Sequence, residues 1–296
     1  FLLASTCIFG PNMASGYREA QKNARTINTN EERWWEALPS LVDFSSSSSS
    51  SSAFTPSQSS SSSSYHGPCH TLPGYQGFLY FSRALSPEAS LDLAHKCLTS
   101  YCEPPHDTNI DNVPPKPGEE SVEGAEGGMF RRWMDGNPTK AYRDLAKLSW
   151  ATTGYNYDWT LRKYHEDKKS PFPPTLSSLG RMFASAAGSP NFTPQASIVN
   201  YYTTKSLMGG HRDDLELTFE EPVVSVSCGL PAIFLLGGAT KEEAPTPILV
   251  RSGDVMVLGG KSRLRYHGCA RVIANRADGE PNVPPAAGEA GPGQVQ

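Results

Sequence analysis

The second half of this 296-residue chain consists of short runs of strand-forming residues, and this pattern constrains its fold more than any other feature. The runs are rich in Val, Ile, Tyr and Phe, and Gly or Pro punctuates them. Short strands joined by tight turns are typical of a sandwich or a barrel. We therefore predict a β-domain after residue 190. Its runs are ASIVNYY, PVVSVSCG, AIFLLGG, PILVRSGDVMVLGG and SRLRYHGCARVI.

Helical patterns precede the β-domain. Ser86 is the predicted N-cap of a first helix, with Pro87 at its first position. A second helix is predicted over NPTKAYRDLAKLSW, and a third over PTLSSLGRMFASAAG, where Gly188 ends it. The chain is thus mainly β with N-terminal helices (α+β). The buried face of the first helix is predicted to comprise Leu91, Ala94, Leu98 and Tyr101.

The composition divides the chain into four regions. Residues 1–70 are expected to be a disordered arm, because serine tracts offer no side chains to pack. In this arm ERWWEALPSLVDF is compatible with a short docking helix, although we favour a loosely packed segment. Residues 71–190 form the helical region, with an acidic Pro/Gly insertion at 103–128. The β-domain covers 191–274, and a disordered tail covers 275–296.

Charge and cysteine content exclude several classes of protein. A net charge of -4 gives no whole-chain signal for nucleic acid, so any such signal has to be local. The six cysteines include no CxxC pair, which argues against a disulfide scaffold or a zinc ribbon and favours reduced intracellular thiols. No apolar run reaches the length of a membrane span. We expect the nucleus or cytoplasm; an organelle stays open, because the chain begins at Phe1 rather than Met.

The segment HRDDLE contains a candidate metal-binding pair. On an extended segment His211 and Asp213 project to the same side, so an imidazole and a carboxylate can bind one ion. Non-haem Fe(II) oxygenases use two histidines and one carboxylate. His267 follows Asp213 by 54 positions and is the only histidine after the pair. The alternative is a surface histidine beside a solvated acidic run.

Several motifs, in order, resemble the AlkB-type Fe(II)/2-oxoglutarate dioxygenases. They are NYY, HRD, SVSCGLPAIFLLGG, SGDVMVLGG and SRLRYHG, and LSWATTGYNYDW points to the branch of the first eukaryotic AlkB homologue. The resemblance covers roughly residues 72–273. It implies a double-stranded β-helix (jelly roll) preceded by a nucleotide-recognition lid. It also implies Fe(II), 2-oxoglutarate, molecular oxygen and oxidative demethylation of N-methylated bases in DNA or RNA, including tRNA.

The resemblance assigns roles to nine positions of this chain. Its metal ligands are His211, Asp213 and His267. The 2-oxoglutarate stretch is Asn200, Tyr201 and Tyr202, in which Asn200 and Tyr202 flank Tyr201 and contact the co-substrate. The substrate residues are Trp150, Tyr155 and Glu216.

A basic stretch coincides with the expected lid. Residues 131–169 contain nine Lys or Arg and five Asp or Glu, a local balance of +4. Basic residues interleaved with aromatic ones suit phosphate binding, although a solvated helix face explains the same charges. The basic residues are Arg131, Arg132, Lys140, Arg143, Lys147, Arg162, Lys163, Lys168 and Lys169.

One family feature is missing. The family places two arginines on one face of a strand beyond the second histidine, and one of them binds the distal carboxylate of 2-oxoglutarate. Here Arg271 and Arg276 are five positions apart and would face opposite sides. Three explanations stay open: a jelly roll incomplete at its C-terminal end, which we favour, a catalytically silent relative, or a substitute cation. Candidates for that cation are Arg263, Arg265 and Lys205.

Two rival functions follow from the same residues. One is a 2-oxoglutarate-dependent hydroxylase or demethylase of protein side chains. The other is a catalytically impaired relative that only binds nucleic acid.

Overall fold

The computed structural model describes residues 16–31, 33–38, 40–45, 65, 67–110, 145–158, 161–276, 279–280 and 282–284. Three helices of at least eleven residues lie within these ranges: α1 (Gly16–Thr26), α2 (Pro87–Thr99) and α3 (Pro174–Ala186). Short 3₁₀ turns cover Trp34–Ala37 and Gly260–Ser262. In this part of the chain no helix has both the length and the apolar character that crossing a membrane requires.

The strands of the described residues alternate with these helices in the first half of the chain and dominate the second half. They are β1 (Cys69–Thr71), β2 (Phe78–Phe81), β3 (Asp107–Thr108), β4 (Trp150–Asp158), β5 (Lys163–Lys169), β6 (Ala196–Asn200), β7 (Val223–Val226), β8 (Ala232–Leu236), β9 (Thr246–Val250), β10 (Val255–Leu258) and β11 (His267–Val272). The protein is therefore mainly β with few helices, as the sequence predicts.

The strands form antiparallel sheets. One sheet has the order β1-β2-β10-β7, and a second has the order β11-β8-β9. In a third, β4 pairs with β3, β5 and β6. Among the described strands β7 pairs only with β10, and β6 only with β4.

Strand alternation produces two cores. On β2, Phe78 and Tyr80 join a cluster with inner-face residues of β8, β9 and β10, whereas Phe81 faces the other way. Phe81 packs instead with α2 and α3, where Phe183 lies with its ring centroid 5.0 Å from that of Phe81. The first two sheets therefore enclose an apolar interior, and the two helices cover the back of one of them.

The helix signals in the sequence are partly confirmed. Ser86 caps α2 by accepting a hydrogen bond from Ala89 N, and Gly188 follows α3 with a φ of 94°. The predicted face of α2 is wrong at Leu91, which is 72% exposed. Leu93 and Cys97 are buried instead, because α3 and β2 approach that side of the helix. The second predicted helix lies mostly outside the described residues.

Region 71–190 contains more strand than the sequence suggests. Residues 150–158 and 163–169 form the β4–β5 hairpin, which the helical prediction missed. The acidic insertion from 111 onward lies outside the described residues.

The N-terminal arm and the tail are packed where the structure describes them, which corrects the disorder expected there. The hydroxyl of Tyr17 in α1 donates to the Leu235 carbonyl of β8. Trp34 is buried, and its Nε1 donates to the carbonyl of Asn282 at 2.6 Å. Together these residues cover the outer face of the β11-β8-β9 sheet. The apolar surface that Trp34 and Trp35 bury is thus enough to order this part of the arm, although few apolar residues surround them in the sequence. The serine tracts Ser46–Ser52 and Ser59–Ser64 lie outside the described residues.

A paired carboxylate fastens this arm to the sheet. Asp43 accepts two hydrogen bonds from Arg251, at 2.6 and 2.8 Å. Burial acts to raise the pKa of Asp43, but Arg251 and Ser45 outweigh it and hold that pKa below its ordinary value of 3.8. A lowered carboxyl pKa contributes stability above the unfolded-state pKa, and this stability is lost as the pH falls through the folded-state pKa.

We expect Asp43→Asn to lower the free energy of unfolding at pH 7 by about 1.5–3 kcal/mol, because the partly buried Arg251 guanidinium loses the carboxylate that accepts two of its hydrogen bonds. Urea unfolding at pH 7 and pH 3 should show the gap to the wild type shrinking at the lower pH. Asp92→Asn is the control, since Asp92 pairs with Lys96 on an exposed helix face. A gap of equal size at both pH values would contradict the assigned ion pair.

Candidate metal centre

A backbone bridge brings the two predicted histidines together. His211 lies in an irregular segment after β6, and His267 is the first residue of β11. The two exchange backbone hydrogen bonds, His211 N to His267 O at 2.9 Å and His267 N to His211 O at 2.8 Å. Residues paired in this way project their side chains to the same side, so the ring centroids lie 4.4 Å apart.

Asp213 completes the group from two positions beyond His211. Its Oδ1 lies 3.8 Å from His211 Nε2, and its Oδ2 lies 3.5 Å from His267 Nε2. One ligand atom from each of the three residues lies within 4.8 Å of the others, and all three residues are buried. In the part of the chain that the structure describes, this is the one His/Cys/Asp/Glu group with a metal-compatible arrangement.

Backbone carbonyls select the tautomer of both histidines. Nδ1 of His211 lies 2.9 Å from Gly209 O, and Nδ1 of His267 lies 3.1 Å from Arg265 O. A carbonyl can only accept, so each Nδ1 carries a proton, and each Nε2, which faces Asp213, is the ring atom that a metal ion would bind. His211 Nε2 is buried without a hydrogen-bond partner among the described residues. Such an atom fits a metal ion, because buried polar atoms rarely lack partners.

The electrostatics of the two rings differ. Burial, and then the neighbouring His267, lowers the pKa of His211 to about 4. Burial also acts to lower the pKa of His267, but the Asp213 carboxylate outweighs it and raises that pKa. His211 is therefore neutral at physiological pH, so its Nε2 can bind a metal ion. Two imidazoles and one carboxylate form the ligand set of non-haem Fe(II) oxygenases, which leaves coordination positions open.

The NYY stretch divides between two faces. Asn200 is buried at the end of β6, and its Nδ2 has no hydrogen-bond partner in the described part of the protein. Tyr202 packs in the apolar interior with its hydroxyl 3.5 Å from Met208 Sδ, and burial raises its pKa. Tyr201 points the other way, and its hydroxyl donates to Cys97 O in α2. Asn200 and Tyr202 therefore share a face that Tyr201 does not.

The candidate substitute cations are largely engaged with the protein. Arg265 donates to the carbonyls of Gly237 and Gly74, and its guanidinium lies 4.6 Å from the Tyr75 ring centroid. Arg271, which is not one of these candidates, donates to the Arg25 carbonyl of α1, on the outer side of the sheet. Lys205 is exposed in the loop after β6. Arg263 contacts the metal-binding segment itself.

The predicted substrate residues lie on and beside the β4–β5 hairpin. Trp150 pairs in register with Asn200, and the Tyr155 ring lies under Lys169 Nζ at 4.4 Å. Glu216 forms an ion pair with Arg263 at 3.1 Å. Of the nine basic residues in the predicted stretch, the structure describes Lys147, Arg162, Lys163, Lys168 and Lys169.

Sequence reasoning missed Tyr164. Its hydroxyl donates to Glu216 Oε1 at 3.4 Å, which connects β5 with the segment that follows Asp213. Burial, then Glu216 and Asp213, raises the pKa of Tyr164, so the phenol stays protonated. The signal was present: Tyr164 is the one aromatic residue of the polar run KYHEDKK.

Comparisons with known proteins agree on one family. A family profile described as the 2OG-Fe(II) oxygenase superfamily matches residues 77–287. The nucleic acid dioxygenase ALKBH1 of Homo sapiens is 36% identical over 204 residues, which are 69% of this chain and 52% of that protein. This chain therefore spans about half the length of the human relative.

Two further relatives are matched over more of their length. The DNA N(6)-methyladenine demethylase ALKBH1A of Arabidopsis thaliana is 31% identical over 238 residues, covering 72% of this chain and 68% of that protein. The tRNA demethylase abh1 of Schizosaccharomyces pombe is 28% identical over 216 residues, covering 67% and 69% respectively.

Proposed function

This chain belongs to the 2OG-Fe(II) oxygenase superfamily, as an AlkB-type member of the ALKBH1 branch, and on that premise we propose that it removes methyl groups oxidatively from bases of DNA or RNA. The matches confirm the resemblance drawn from the sequence motifs. The observation that carries the proposal is the buried group of His211, Asp213 and His267, with both Nε2 atoms turned toward the carboxylate.

The residues around this group have the chemistry that the cofactors need. The two imidazoles and the carboxylate would hold Fe(II), and the Asn200 amide, buried without a partner among the described residues, would donate to 2-oxoglutarate beside Tyr202. Bound iron and 2-oxoglutarate supply the oxidation by O₂ that hydroxylates an N-methyl group, which then leaves as formaldehyde while succinate and CO₂ are released. The protein's part is to position the methyl group and to exclude water.

We propose a jelly roll as the framework of this site. Two antiparallel sheets with a shared apolar interior support it, as does the bridge between His211 and His267. In such a framework the metal-binding residues lie at one end of the interior, where long loops reach the substrate.

The β4–β5 hairpin is the proposed lid. A base has to leave its stack before a methyl group on it can reach a buried metal, and aromatic side chains provide a surface that holds it. Trp150 and Tyr155 would serve that purpose, with Glu216 as a polar contact. Lys163, Lys168 and Lys169 on β5 would bind phosphates. The Arabidopsis relative, a DNA N(6)-methyladenine demethylase, and the Schizosaccharomyces pombe relative, a tRNA demethylase, favour N-methylated adenine in DNA or a methylated base of tRNA as the substrate class.

The test is turnover of matched oligonucleotides. The protein would be incubated with Fe(II), 2-oxoglutarate and ascorbate, with DNA and tRNA stem-loops carrying one N-methyladenine or none, and with a methylated peptide library. We expect formaldehyde and succinate in equal amounts from a methylated nucleic acid and background levels from its unmethylated copy. Turnover of peptides alone would overturn the substrate class. Nucleic-acid binding without succinate release would indicate the catalytically impaired relative.

A further inference from the structure

Arg263 is a buried cation with three contacts to the segment that follows the metal-binding pair. It lies four positions before His267, at the end of the 3₁₀ turn, and is 4% exposed. Its Nη1 donates to the backbone carbonyl of Asp213 at 2.6 Å, and its Nε donates to the carbonyl of Glu221 at 3.0 Å. Its Nη2 lies 3.1 Å from Glu216 Oε2. Each guanidinium nitrogen thus contacts a different residue of this segment.

These contacts matter because the segment lacks regular structure. Residues 212–222 form no helix or strand, so no ladder of backbone hydrogen bonds fixes the position of Asp213. Arg263 contacts this segment at its beginning, near its middle and near its end. The Phe219 ring, 5.6 Å from the guanidinium carbon, adds a stacking contact that limits movement of the cation.

We propose that Arg263 is a positioning residue: it fixes the backbone of Asp213 so that the carboxylate faces the two histidine Nε2 atoms. The inference rests on the proposed metal site. It also removes Arg263 from the candidates for a 2-oxoglutarate clamp, because all three of its nitrogens already bind the protein. Through Glu216 the same cation is connected to Tyr164, and therefore to the β4–β5 hairpin.

The planar fork of arginine is essential to this role. A lysine at position 263 keeps the charge but is a single flexible ammonium, which cannot hold two carbonyls and a carboxylate in three fixed directions. Changes to groups that orient metal ligands typically weaken metal binding about 10–100-fold. We expect an effect of this size for Arg263→Lys, since Asp213 would have to be reordered when the ion binds.

The experiment is a titration with Co(II) alone, followed by visible absorption, with no 2-oxoglutarate and no turnover. Arg263→Lys should bind Co(II) about 10–100-fold more weakly than the wild type while it keeps a cooperative thermal transition. Arg265→Lys is the matched control, because Arg265 lies two positions away and donates to Gly237 and Gly74 outside the segment. Its Co(II) affinity should equal that of the wild type.

Two further variants separate the contacts. Glu216→Gln and Tyr164→Phe leave the bond from Arg263 to Asp213 O in place, so both should weaken Co(II) binding much less than Arg263→Lys does. If Glu216→Gln weakened Co(II) binding as much as Arg263→Lys, the ion pair between Arg263 and Glu216 would position Asp213. The role assigned to the hydrogen bond from Arg263 to Asp213 O would then be wrong. Should Arg263→Lys fail to fold, Arg263→Ala with and without added guanidinium takes its place: recovery of Co(II) binding supports the role, and no recovery overturns it.

The outcomes distinguish this inference from the proposed function. Equal Co(II) affinity of the wild type and Arg263→Lys would overturn the positioning role and leave the demethylase proposal intact. A wild type that bound no Co(II) would overturn the metal site, and both proposals with it.

Discussion

Asp213→Ala is expected to abolish succinate release from 2-oxoglutarate, with a loss of at least about 10²–10³-fold. Asp213 is the only carboxylate in the group with His211 and His267, so its removal leaves two neutral imidazoles. Two such ligands bind Fe(II) weakly, and losing a catalytic metal removes several kcal/mol of transition-state stabilisation. The measurement is succinate formed with Fe(II), ascorbate and a methylated oligonucleotide.

The adjacent carboxylate provides the control. Asp214 is partly exposed, and Arg212 contacts it at 3.3 Å. Asp214→Ala removes the same charge one position away, so it should keep most of the turnover. If both variants lost activity equally, local charge rather than metal ligation would explain the effect. If Asp213→Ala stayed active, the metal centre would have to lie elsewhere.

The second large effect concerns stability. Trp34→Ala is expected to lower the free energy of unfolding by about 3 kcal/mol or more, because it empties a buried site and leaves the carbonyl of Asn282 without its donor. Urea unfolding followed by far-UV circular dichroism measures this without relying on tryptophan fluorescence. Trp35→Ala, which removes the neighbouring and less buried ring, should cost roughly 1 kcal/mol. Equal losses would argue that Trp34 is not the anchor.

The β-domain could be predicted because its signals are local. Gly or Pro punctuates the runs from ASIVNYY onward, and the six described strands β6 to β11 lie in these runs, with β9 beginning one residue before its run. The β4–β5 hairpin was missed for the opposite reason. Its second strand, KYHEDKK, consists almost entirely of polar residues and carries no apolar alternation. Pairing with β4, rather than propensity, makes it a strand.

Helix α2 shows a second limit of prediction from sequence: the start of a helix can be predicted, but its buried face cannot. Its start could be predicted from Ser86 and Pro87, because a cap is a local feature. Its buried face could not, because Leu91 and Leu93 are equally apolar and only the position of neighbouring elements decides which one is covered. The same reasoning applies to the arm: nothing near Trp34 in the sequence shows that residues near 282 complete its binding site.

The candidate site also contains residues that the sequence predicts and residues that only the structure reveals. His211 and Asp213 could be paired from spacing alone, and His267 was the only histidine left to join them. Tyr164 was not recognised as part of this site, and Arg263 was considered only as a cation for 2-oxoglutarate, because their contacts with Glu216 and Asp213 cross 52 and 50 positions of sequence. Arg263 lies in the SRLRYHG motif, but no local pattern marks the contact that either residue makes. Their roles become visible only when the buried polar contacts of the ligands are traced.

The contact between Trp34 and Asn282 has a consequence for biosynthesis. The two residues are 248 positions apart, so a ribosome has made nearly all of the described chain before they can meet. Until then α1 can already pack on the outer face of β8 through Tyr17, but the indole Nε1 of Trp34 lacks the carbonyl of Asn282. The contact therefore forms only after residue 282 has left the ribosome, and its long sequence separation gives chaperones time to act on the arm before it is anchored.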